Sequence, residues 1–169
     1  MGKTASEREI QRQIVSLATL AAVLGGIGGG IAFGTLWIIQ APDLSVFKGV
    51  GTTFLRIDDP IVGALVHISI AIVFGTVFGL SLVFVPRLGT SQIITVIAAT
   101  IFGILIWGTL AKFIPSLLNQ TPFDTVLSNY FIFDRWISEA SLRSLVGHIL
   151  YGFFLGIITW NLPKLLEKA

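Results

Sequence analysis

The sequence predicts an all-α integral membrane protein. Four transmembrane helices form two tandem parallel helical hairpins about a pseudo-twofold axis along the membrane normal. Three observations carry this. The 169 residues are 54% hydrophobic and 12% charged, about half the charge of a soluble domain, and mean hydropathy is +0.89. A soluble domain of this size cannot enclose so much apolar surface, and disorder needs the opposite composition. Four uncharged stretches reach the roughly 20 residues of helix that cross a bilayer, and short motifs recur in the same order in both halves.

The first stretch runs from about Ile14 to Ile39. Lys3, Arg8 and Arg12 precede it as a signal peptide's basic region would, but the apolar run far exceeds the ~7–15 residues of such a leader, which favours a retained helix. The second runs from Ile61 to Val85, the third from about Leu88 to Ala111, and the fourth from about Ser144 to Pro163. Pro42, Pro60, Pro86, Pro115 and Pro163 fall at their edges, where proline is tolerated. Asp59-Pro60 reads as an N-cap followed by the first helical residue. No domain boundary interrupts residues 1–169.

Orientation follows from the basic residues. Lys3, Arg8, Arg12, Arg87, Lys164 and Lys168 lie on the side of the termini, against Lys48, Arg56, Lys112, Arg135 and Arg143 opposite. The excess, though small, puts both termini in the cytoplasm. The two connections on the far side, residues 40–60 and 112–143, are expected to form a structured cap. In the second, Phe123, Tyr130, Phe131, Phe133 and Trp136 are mixed with Asp124, Asp134, Arg135 and Glu139, which suits an interfacial helix or a lid over the bundle end.

Duplication rests on two matches. Gly29-x4-Gly34-Thr35-Leu36 returns 74 residues later as Gly103-x4-Gly108-Thr109-Leu110, and His67 with Gly75 returns 81 residues later as His148 with Gly156. Repeat 1 is then about residues 14–85 and repeat 2 about 88–163, both entering the membrane from the same side. His67 and His148, the two histidines of the chain, would lie at similar depth.

Each histidine heads a ridge of small residues spaced four apart, His67-Ala71-Gly75-Gly79 and His148-Gly152-Gly156. Such a ridge could seat a flat haem or chlorophyll-type ring beside Gly75 and Gly156, with the imidazoles as axial ligands. The favoured reading is a close-packing surface between helices, with each histidine bonded to a loop carbonyl or to its symmetry partner. Gly26, Gly30 and Gly34 form a double G-x3-G ridge of the same kind; as a nucleotide loop they lack a preceding strand and a phosphate-binding lysine. Lys112 is explained by reaching to the interface, or holds a lipid phosphate or cofactor carboxylate.

With no cysteine there is no thiolate site or disulfide. No Asp or Glu lies within a span, so the acidic relay of proton-coupled pumps is missing, and no nucleophile motif is present. A net charge of +2 with no basic cluster gives no nucleic-acid footprint. The expectation is a small non-catalytic accessory or scaffold subunit in the lipid bilayer, joining a homo-oligomer or larger membrane complex through its glycine-rich faces: Gly26, Gly30, Gly34, Gly75, Gly79, Gly152 and Gly156. A haem or pigment module on His67 and His148 comes second, and a small oligomeric transporter or channel third.

Overall fold

A computed structural model describes residues 5–109 and 138–166, which are helical throughout apart from short connections. Helix α1 is Ala5–Gln40, α2 Ser45–Leu55, α3 Pro60–Phe84, α4 Gln92–Gly108 and α5 Glu139–Leu166, with a 3-10 turn at Pro86–Gly89. Three helices are long and apolar enough to cross a membrane, through Ser16–Gln40, Pro60–Phe84 and Ser141–Lys164. Helix α4 is apolar but spans 17 residues. Lys112 and the aromatic and charged residues from Phe123 to Trp136 lie outside the described residues.

Local chemistry sets the helix starts. The Asp59 carboxylate accepts from Ile61 N (2.7 Å) and Val62 N (3.0 Å) ahead of Pro60. Ser91 Oγ accepts from Ile94 N at 3.2 Å, so α4 begins at Gln92 and Leu88 belongs to the turn, not to the span expected from about Leu88. Each such cap stabilises by about 1 kcal/mol. Helix α5 runs past the expected end at Pro163 to Leu166.

Within residues 40–60, expected to help form a structured cap, the chain makes helix α2. Leu44 and Arg56 flank it in the left-handed region, at φ 59° and 61°. Arg56 N–H closes the helix onto the Gly51 and Thr52 carbonyls. Asp43 accepts from Ser45 Oγ (2.9 Å) and Ser45 N (3.2 Å), which holds its pKa below the usual carboxylate value. Gly63 lets the main chain of Phe47 lie directly on α3, where any Cβ would collide with it.

The helices pack in the order α3–α1–α5–α4. Small residues set each closed contact. Gly26 lies on the Ala71 carbonyl and the Gly75 Cα, and Gly79 lies on Ala22, between α1 and α3. Gly25 and Gly29 lie on Leu155, Thr159 and Tyr151, between α1 and α5. Gly103, Gly152 and Gly156 lie between α4 and α5. The core that results contains Phe33, Ala71, Phe78, Ala99, Ile106, Tyr151 and Leu155. Between α3 and α4 the meeting is through rings, Phe74 and Phe78 with Phe102 at 6.4 and 5.5 Å between centroids. An open groove of about 430 Å³ runs along that seam. Ile61, Leu65, Phe84 and Ile93 stand exposed on the outside, as residues facing lipid do.

Candidate functional site: the histidine cluster

His67 stands about two turns into α3 and His148 about two and a half turns into α5. Both imidazoles meet the same residue. The Phe33 ring of α1 is 5.3 Å from His67 and 4.7 Å from His148, edge-on to each. Gly147 leaves the room that ring needs, since a Cβ there would collide with it. Trp37, one turn along α1, lies 4.8 Å from His67, and Phe47 of α2 closes over the same imidazole at 5.9 Å. Gly34 lies beneath Phe47 and His67.

The hydrogen bonds of the two histidines differ. His67 donates from Nε2 across the helix pair to the Gly30 carbonyl at 3.0 Å. His148 donates from Nδ1 to Ser144 O of its own helix at 2.8 Å. A carbonyl only accepts, so each bond fixes which ring nitrogen carries the donated proton. The nitrogen not used is Nδ1 of His67 and Nε2 of His148, which are different atoms of the ring. The Phe33 ring lies against both imidazoles. Gly75 and Gly156 are eight residues, about 12 Å of helix, beyond the histidines. They serve the α1–α3 and α4–α5 contacts and do not join the imidazoles.

Two further bonds, absent from the sequence reading, complete the cluster. Tyr151 Oη donates to the Ala71 carbonyl at 2.8 Å, tying α5 to α3. Trp107 Nε1 donates to Ser141 O at 3.1 Å, tying α4 to α5. Tyr151 carried a signal, since it continues the His148 face at a spacing of three. Phe33 carried none, standing in a helix apolar on several sides. Among the described residues no group of three or more His, Cys, Asp or Glu could hold a metal ion.

Chemically, then, this end of the bundle offers two imidazoles, a phenol and an indole, each donating to a main-chain carbonyl. Three of these bonds, those of His67, Tyr151 and Trp107, run between helices and tie them together. Comparison with protein-family models, curated proteins and solved structures finds no match.

Proposed function

We propose that the chain is a small non-catalytic, multi-pass membrane subunit with both termini in the cytoplasm, an accessory or scaffold component of a homo-oligomer or larger membrane complex. The observation that carries this reading is the use of the buried polar side chains. His67, His148, Tyr151 and Trp107 all donate to main-chain carbonyls, which supports a structural role for the polar groups of the interior. The small-residue faces are engaged within the chain. The surface for a partner therefore falls on the outward apolar faces, such as that of Ile61 and Leu65 on α3.

The four-helix, duplicated architecture belongs to the same proposal. Contacts support a correspondence of 73 residues between α1 and α4, one less than the motif match, and of 81 between α3 and α5. Under it, Gly75 against Ala22 and Gly26 becomes Gly156 against Thr95 and Ala99, and Gly30 against Ala71 becomes Gly103 against Gly152. Membranes containing the native protein, treated with a lipid-soluble cross-linker, test the partner role. A defined larger species is expected, and monomer alone would overturn it.

A further inference from the structure

We propose that the groove between α3 and α4 holds one acyl chain of an anionic phospholipid, its phosphate seated at Arg87 and the start of α4. The inference rests on the membrane location of the helices and not on the accessory role, so either can fail alone. The groove is lined by Phe78 and Ser81 of α3, Leu88 of the turn, and Ile94, Ile101 and Leu105 of α4 among others. Its hydroxyl, that of Ser81, is turned away to the Phe78 carbonyl at 2.6 Å, so the wall offers an occupant mainly apolar surface.

Length identifies the occupant. From Ile94 to Leu105 the groove follows eleven residue steps of α4, a rise of about 16 Å at ~1.5 Å per residue. That is about half of the ~30 Å hydrocarbon thickness of a bilayer, the depth of one leaflet and hence of one acyl chain. A transmembrane helix from a partner would run past both ends.

Charge identifies the headgroup. The groove ends at Leu88, and the residue before it, Arg87, is exposed. Among the described residues no acidic side chain pairs with Arg87. The first N–H groups of α4 open at the same end, with Ser91 capping Ile94 N and leaving Gln92 N and Ile93 N. A guanidinium and a helix N-terminus together favour a phosphate, and they sit where a headgroup belongs relative to a chain lying in the groove.

Electron spin resonance on the purified full chain in phosphatidylcholine bilayers tests this, with trace spin-labelled phosphatidylglycerol or phosphatidylcholine as probe. The motionally restricted population is expected to favour phosphatidylglycerol several-fold. Arg87→Gln abolishes the preference, Arg87→Lys keeps most of it, and Arg143→Gln, at a residue already paired with Glu139, leaves it unchanged. Ala98→Phe, which fills the groove, lowers the restricted population for both lipids with helix content intact. Equal restriction of the two lipids in the unaltered chain, or a preference that survives Arg87→Gln, overturns the proposal. So does efficient disulfide cross-linking through Ile97→Cys, a unique thiol in a cysteine-free chain, because a second copy would then fill the groove.

Discussion

The two seams flanking the bundle's middle differ in how closely the helices approach. Between α1 and α5 the contact is closed: Gly25 and Gly29 let main chain lie against Leu155, Thr159 and Tyr151. Between α3 and α4 it is open, with phenylalanine rings holding the helices apart along a groove. Under the proposed duplication these are counterparts. Gly25, Gly28 and Gly29 correspond to Ala98, Ile101 and Phe102, while Leu155 and Thr159 correspond to Phe74 and Phe78. The same helix layout closes or opens according to side-chain bulk at a few positions. Closure has its own cost, because the Thr159 hydroxyl is buried at Gly25 with no hydrogen-bond partner among the described residues.

The sharpest way to break the comparison is to add the same bulk on both sides. Gly25→Leu drives a side chain into Thr159 and the Leu155 main chain and is expected to destabilise by about 3 kcal/mol or more, whereas Ala98→Leu, at the counterpart position, enters the groove and costs less than about 0.5 kcal/mol. Denaturant titration in micelles separates them. Next in size are the cross-helix bonds. His67→Phe keeps a ring but loses the tie to Gly30, at about 1 kcal/mol by the same titration. His148→Phe loses a bond within its own helix and costs about half as much; equal losses would mean the two bonds do equivalent work. Arg56→Gly relieves a left-handed residue at the end of α2 and is expected to stabilise by about 1 kcal/mol, seen as slower amide exchange there.

The smallest effect concerns pH. Because the Asp43 carboxylate is held below its ordinary value by Ser45, its contribution is complete above the ordinary carboxylate pKa. It is lost as pH falls through the lowered one. Amide exchange at the start of α2 is expected to quicken at acid pH, and Asp43→Asn to remove that dependence while leaving α1 unaffected.

Much of this architecture was legible as a one-dimensional property. Apolar stretches announce helices because a bilayer demands length and hydrophobicity before it demands any contact. Helix α2 escaped because Lys48, Gly49 and Gly51 break an already short apolar pattern, and its stability comes from lying on Gly63 of α3. The spacing of His67 and His148 pointed to one end of the bundle, and the structure puts both rings against Phe33. Phe33 itself was invisible, since helices apolar on several sides carry no periodic mark of which face turns inward. For the same reason Gly26 and Gly30 read as one packing ridge, while the neighbouring face of Gly25 and Gly29, which holds α5, went unremarked.

The bond from Tyr151 to Ala71 joins residues 80 apart beside α1, so α1 is enclosed between α3 and α5. During biogenesis α1 enters the bilayer with two glycine faces bare, and only α3 soon follows to cover one. The other waits for α5. Until α5 arrives, lipid must fill the place of Tyr151, Leu155 and Thr159. Insertion of α5 is then the step that closes the second glycine face.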